Sequence, residues 1–179
     1  MIHARPSKLL VDNLSLLTQA ARLGPILDLA CGEGRNGLYL AAGGLPVILV
    51  DRNESSLEKA RDLAREAGVP AEVRCLDLEK PGSQDLFPES SLGGVIVFRY
   101  LHRPLIPVIR NAIRDGGILV YETFTMDQLK FGKPHNPDFL LRPGELKRWF
   151  SDWDVLYEFE GFQPERAIAQ IVCVKKISA

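Results

Sequence analysis

Cysteine is scarce: Cys31, Cys75 and Cys173 stand alone, with no CxxC pair and no zinc-type spacing. That excludes a disulfide framework, points to no structural metal, and suits a reduced, cytoplasmic compartment. Long apolar runs are missing too. Nothing approaches the ~20 residues a spanning helix needs, and Met1–Pro6 has no apolar signal core behind it, so no membrane association is expected. Neither sign of charge dominates: 22 basic and 23 acidic residues leave a formal net charge of −1, which argues against a polyanion-binding surface. Internal repeats and low-complexity segments are absent. What remains is 179 residues, 46% hydrophobic and 25% charged, the usage of an ordinary globular protein. The length predicts one domain over residues 1–179, with no room for a second.

The stretch Pro25 to Ala41 organises the chain. Ile26, Leu27 and Leu29 read as a buried strand, Gly32 and Gly34 break it, and Leu38, Leu40 and Ala41 suit a helix packing back on a sheet. Before it, Leu10, Leu14, Leu17 and Ala21 recur at helical spacing, so Ser7–Ala21 reads as one helix capped by Ser7, within an N-terminal helical segment 1–24. Val47–Asp51 is a second strand, and Leu57, Ala60, Leu63, Ala64 and Ala67 form the apolar face of a helix closed by Gly68. Ala71–Leu76, Gly93–Tyr100 and Ile118–Phe124 are three further strands. Pro81–Ser91 is a polar loop, and Pro104 opens a helix through Ile113. Residues 125–142 lack periodicity and read as an ordered loop or lid. A short helix over Glu145–Phe150 precedes a hairpin, Val155–Phe162 and Ala167–Lys175. The order predicts an α/β fold: a Rossmann-like, doubly wound, mainly parallel seven-stranded sheet with a C-terminal antiparallel hairpin.

In such sheets ligands bind at the carboxyl ends of the strands, where helix N-termini present free N–H groups. Gly32, Gly34 and Gly37 spell G-x-G-x-x-G, and Asp51 follows at about the 20-residue spacing of a dinucleotide fingerprint. A nicotinamide-dinucleotide oxidoreductase is therefore one reading. Asp28 and Glu33 pull away from it, because they set negative charge where a pyrophosphate would lie. The same carboxylates suit an amino group and a sulfonium. Asp77-Leu78 after the third strand offers a carboxylate acceptor and a backbone N–H, the complement of the adenine N6 donor and N1 acceptor. Together these groups would read S-adenosylmethionine.

The chain resembles the class I S-adenosylmethionine-dependent methyltransferases. Asp28-Leu29-Ala30-Cys31-Gly32-Glu33-Gly34 matches their first motif, Asp51 their second-strand acid, and Asp77-Leu78 their adenine motif. Arg35-Asn36-Gly37-Leu38-Tyr39-Leu40-Ala41 is similar to the version in tellurite-resistance-type methyltransferases. The resemblance implies that the methionine part of the cofactor lies on the glycine turn, contributed by Ala30, Cys31, Gly32 and Gly34, and that Asp51 anchors the ribose hydroxyls. Cys31 would contribute backbone, Arg35 or Arg5 would meet the cofactor carboxylate, the Arg52 stem would cover the adenine, and the Phe98 carbonyl would receive the ammonium.

On the acceptor side, Arg99, Tyr100 and His102 leave the fourth strand where the methyl group should point, and Glu122 interrupts an apolar strand at its carboxyl end. His102 is the candidate base, by its ordinary pKa. Lys133, His135 and Arg142 in the loop can meet an anion. The fourth-strand exit lacks the Asp/Asn-Pro-Pro-Tyr of amino-methylating nucleic-acid enzymes, so a small acceptor, anionic or an oxyanion, is expected rather than nucleic acid. A non-catalytic cofactor-binding subunit is the remaining alternative. The chain is expected as a monomer or homodimer.

Overall fold

Alternating apolar strands and amphipathic helices build a seven-stranded sheet in this computed structural model, which describes residues 5–80, 82 and 87–177. The elements run α1 (Lys8–Asp12), α2 (Leu14–Ala20), β1 (Ile26–Leu29), α3 (Arg35–Ala42), β2 (Val47–Asp51), α4 (Glu54–Ala67) and β3 (Glu72–Cys75). Then come β4 (Leu92–Phe98), α5 (Leu105–Ala112), β5 (Ile113–Phe124), α6 (Glu145–Trp149), β6 (Asp154–Gln163) and β7 (Arg166–Val174). Strand order is β3-β2-β1-β4-β5-β7-β6. β1 to β5 are parallel, and β7 inserts antiparallel between β5 and β6.

Side-chain alternation divides the core into two layers. Leu27, Leu29, Val95, Val97, Leu119 and Tyr121 face α5 and α6. Ile26, Leu49, Ile96, Ile118, Val120 and Val172 face α1 to α4. The winding reverses between β1 and β4, and that switch point opens a crevice at the strands' carboxyl ends.

Three elements depart from the expected bounds. The N-terminal helix breaks at Asn13, which adopts φ −112°, ψ 17° and whose side-chain amide donates to Leu9 O at 2.8 Å. A side chain that bonds its own backbone competes with the helix ladder. Ser7 caps by position only; its backbone N–H donates to Asn36 Oδ1 at 2.8 Å. β5 starts at Ile113, directly after α5, because the register shifts between Leu92 and Gly94 and admits Gly116, at φ 78°, into the strand. The hairpin closes through Pro164-Glu165. The polar loop expected over residues 81–91 falls partly outside the described residues. Among the described residues, no helix is long and apolar enough to cross a membrane.

Candidate active site

From β1 the chain turns through Ala30–Gly34 into α3. The Cys31 N–H donates to Val50 O at 2.9 Å and the Gly34 N–H to Cys31 O at 3.0 Å, so the loop closes on itself beside β2. Gly34, at φ 77°, lies tight under α4: a Cβ there would sit 3.3 Å from that of Ala60. A Cβ on Gly37 would collide with Leu49 and lie 2.9 Å from Asp28 Oδ2, so α3 rests close on the strands. Asp28 fills that contact. It is 2% exposed, and its Oδ2 accepts the Gly37 N–H at 2.8 Å. Burial pushes its carboxyl up to about 7, against the opposing pull of the Gly37 hydrogen bond. Asp28, read from the sequence as facing an amino group or a sulfonium, thus faces an amide of the chain itself. Asp28 and Gly34 shape the turn and do not line the cleft. The Cys31 thiol, pushed well above its ordinary range by burial, lies beside Gly32 O and stays protonated.

Asp51 stands at the next strand end. Its Oδ2 accepts the Gly32 N–H at 2.7 Å and its Oδ1 the Asn53 N–H at 2.9 Å. A carboxylate has about four acceptor positions, so one remains on each oxygen, at fixed orientation. Asp51 rims a cleft of about 250 Å³. Arg52, Asp77 and Glu79 line its polar side, and Ala30, Leu76, Leu78 and Leu101 an apolar wall. Asp77 Oδ1 accepts the Glu79 N–H at 3.1 Å, so it forms a turn and also borders the cleft. Arg52 Nη1 lies 3.4 Å from Glu79 Oε2.

Two residues of this rim hold a left-handed backbone without being glycine: Ala30 at φ 57° and Arg99 at φ 60°. Each follows its strand on adjacent, in-register strands, Leu29 opposite Val97. Such conformations cost about 1–3 kcal/mol and cluster at functional sites. The Arg99 N–H is fixed to Glu122 O at 2.8 Å. Beside it Tyr100 lines the cleft, and its hydroxyl is shielded from solvent and has no hydrogen-bond partner among the described residues. Burial raises its pKa well above the ordinary value, so it is an O–H donor rather than a phenolate base. The buried Tyr121 donates to the Tyr100 carbonyl at 3.0 Å and holds the strand exit in place.

Beyond the turn residues, five of the expected site residues lie away from the cleft lining. His102 is half-buried at the entry to α5, where its carbonyl accepts the Leu105 N–H. Arg35 is half-buried on the first turn of α3, Phe98 packs into the layer facing α1 to α4, and Arg5 is exposed. Glu122 is buried on that same layer's side, in a second cavity. Lys133, His135 and Arg142 are exposed, so the loop presents no cation to the cleft. What it brings is apolar: Pro134 and Phe139 join Phe124 as a wall. Arg103, not singled out by spacing, ties the loop down. Its Nε and Nη2 donate to the Glu145 carboxylate at 2.8 and 2.9 Å, and its Nη1 and Nη2 to Asp138 O and Leu140 O at 2.8 and 2.9 Å. Burial alone would raise the Glu145 carboxyl; Arg103 and the Arg142 N–H outweigh it and hold it below its ordinary value. Gln128 ties the other end, accepting the Ala167 N–H at 2.9 Å and donating to Lys133 O at 3.0 Å.

The sequence and fold that carry this site have counterparts among known proteins. The family described as tellurite resistance protein TehB matches residues 14–163. The chain belongs to the TehB family. A curated relative, the probable S-adenosyl-L-methionine-dependent methyltransferase TehB of Haemophilus influenzae, is 27% identical over 136 residues, 73% of this chain and 46% of that protein. The chain thus spans about half the length of the curated TehB proteins it matches. The crystal structure of TehB from Haemophilus influenzae superposes with a TM-score of 0.70 at 22% identity, covering 90% of this chain and 62% of that one. Magnesium protoporphyrin IX methyltransferase from Synechocystis, crystallised with bound SAH, superposes at 0.65 with 14% identity, covering 93% and 82%. These likenesses confirm the Rossmann-like fold.

Beyond the TehB-type motif, the structure reveals a second cavity of about 380 Å³ between α1, β5 and the β6–β7 hairpin. Its floor is Glu122, whose Oε2 accepts from Gln170 Nε2 at 2.5 Å; Gln170 Oε1 in turn accepts from Tyr157 at 3.2 Å. Arg166, Gln170 and Tyr157 carried no motif. The only available signal was polarity on strands that antiparallel pairing sets opposite Glu122.

Proposed function

We propose that this chain transfers the methyl group of S-adenosylmethionine to a small molecule. The observation that carries the reading is Asp51, whose two carboxylate oxygens are each fixed by one backbone N–H at the cleft rim and each keep an acceptor position, as a ribose diol requires. Asp77 and Leu78 stand where an adenine edge would be read, with Leu76, Leu101 and the Arg52 stem as walls. Tyr100, whose buried hydroxyl has no partner among the described residues, also lines this cleft. Gly32 leaves open space above it, so the methionine part can lie on the turn. Arg35 and Arg5 are the cations available to its carboxylate, and the Phe98 carbonyl is the acceptor for its ammonium. When bound, the cofactor supplies an electrophilic sulfonium methyl. The chain's task is then to orient and to exclude water, contributions worth effective molarities of ~10⁵ M or more. Arg99 and Tyr100 line the cleft where this happens; His102 does not, which weakens its assignment as base.

The finer expectation of an anionic acceptor keeps little support, because of the cations proposed for it only Arg99 borders the cleft. Calorimetry with S-adenosylhomocysteine and with NAD, followed by a screen of small-molecule extracts with methyl-labelled cofactor, tests the proposal. Binding of S-adenosylhomocysteine and label in the small-molecule fraction are expected. NAD binding in its place would establish the oxidoreductase reading, and cofactor binding without any transfer the non-catalytic one.

A further inference from the structure

The cleft runs along the strand ends in sheet order. Asp77 follows β3, Asp51 ends β2, Ala30 follows β1, Arg99 follows β4 and Phe124 ends β5. A cofactor with its adenosine at Asp77 and Asp51 and its amino-acid part on the glycine turn holds its sulfonium between them, over β1. An in-line acceptor then approaches from the β4 and β5 side of the same cleft.

That side has an apolar wall, Phe124, Pro134 and Phe139, with Arg99 as its cation. The wall is fixed in advance. Gln128 Nε2 donates to Lys133 O, directly before Pro134, at 3.0 Å. Arg103 donates to Asp138 O and Leu140 O, the two carbonyls that bracket Phe139. Phe139 is nonetheless 45% exposed. An aromatic ring left open on a clamped backbone is a preorganised contact for an apolar group.

The ionisable groups divide along the cleft as well. Its carboxylates, Asp51, Asp77 and Glu79, lie on the β2 and β3 side. On the acceptor side the ionisable groups among the described residues are Arg99 and Tyr100, and burial keeps the Tyr100 hydroxyl protonated. Neither takes up a proton at neutral pH. His102, Glu122 and His135 lie outside this lining. A hydroxyl or ammonium acceptor would find no base there to take its proton. A thiol needs none: part of it is already thiolate at neutral pH, that part is intrinsically nucleophilic, and a guanidinium nearby enlarges it.

We propose that the methyl acceptor is a small thiol with an apolar body, the body packed on Phe124, Pro134 and Phe139 and the thiolate beside Arg99. The inference rests on the methyltransferase reading of this cleft. The thiol proton is lost to water before transfer. The thiolate sulfur then attacks the methyl carbon, and a new S–C bond forms as the sulfonium S–C bond breaks. The electron pair of the broken bond stays on the cofactor sulfur, leaving a methyl thioether and S-adenosylhomocysteine. The negative charge expected of the acceptor is thus carried by the reacting atom itself.

Methyl-labelled S-adenosylmethionine offered with four acceptors tests it: benzenethiol, phenol and benzoate share one body, and hydrosulfide has the nucleophile without the body. Label should pass to benzenethiol well above the rate without protein, and to phenol and benzoate at least about tenfold more slowly. Phe139→Ala should lower the kcat/KM of benzenethiol relative to hydrosulfide by about fivefold, as loss of one ring's apolar contact implies. Phe139 is exposed, so the variant should fold. Phenol or benzoate labelled as fast as benzenethiol, or a ratio that Phe139→Ala does not move, overturns the proposal. Calorimetry with S-adenosylhomocysteine separates the two readings. Its binding without thiol methylation overturns this inference alone, and its failure to bind overturns the methyltransferase reading as well.

Discussion

Asp51 and Asp28 sit at comparable strand ends, yet their surroundings give them opposite tasks. Asp51 keeps free acceptor positions at the rim, so Asp51→Ala should remove hydrogen bonds to a charged group worth about 1.5–3 kcal/mol each. S-adenosylhomocysteine affinity should fall at least tenfold by calorimetry, and the free protein should also melt lower, because the Gly32 and Asn53 N–H groups lose their acceptor. Asp28 has its folded pKa raised to about 7 from an unfolded 3.8. Between those values the folded state holds a proton that the unfolded state has released, so the contribution is fully present below pH 3.8 and is lost as pH rises through 7. Asp28→Asn keeps an oxygen for the Gly37 N–H and removes the titration. Urea midpoints at pH 5 and pH 8 should show the variant gaining on the wild type at the higher pH; equal differences at both would locate the titration elsewhere.

Among the elements, the loop over residues 125–142 depends most on one side chain. Arg103 makes four hydrogen bonds across it, bidentate to Glu145 and single to two carbonyls. Arg103→Ala would leave Glu145 with the Arg142 N–H but no guanidinium, and those carbonyls without their donor, in partly buried surroundings, at a cost on the order of 2 kcal/mol. Arg103→Lys should recover little, because an ammonium lacks the planar fork. Hydrogen exchange should quicken at the Phe139 and Leu140 amides in both variants while the β4 and β5 amides stay protected. This dependence was hard to read from sequence. Periodicity located β1, β2, β4, β5 and β7 because each buries a short apolar run. β3 and β6 are edge strands, more exposed, placed by the elements around them. The glycine turn was legible because backbone conformation leaves a mark in composition. A guanidinium that reaches from the start of α5 to carbonyls far along the chain leaves no such mark, nor does the antiparallel pairing that brings Gln170 to Glu122. The helix break at Asn13 was missed for the opposite reason: a local hydrogen bond outweighed a correct apolar pattern.

Over the whole molecule, a ligand that binds only the folded state stabilises it in proportion to its excess over Kd. At one hundred times Kd, S-adenosylhomocysteine should contribute about 2.7 kcal/mol. For a chain of this size that raises the melting temperature by roughly 5–10 °C. NAD at the same concentration should leave the transition where it was. The left-handed residues at the ends of β1 and β4 bear on how such a protein responds to laboratory evolution. Glycine adopts that conformation without the steric penalty, so Ala30→Gly and Arg99→Gly should each lift the melting temperature of the free protein. A screen that rewards heat resistance alone would therefore accumulate glycine at both strand exits, and the survivors would be tougher proteins with a looser rim and no arginine facing the cleft.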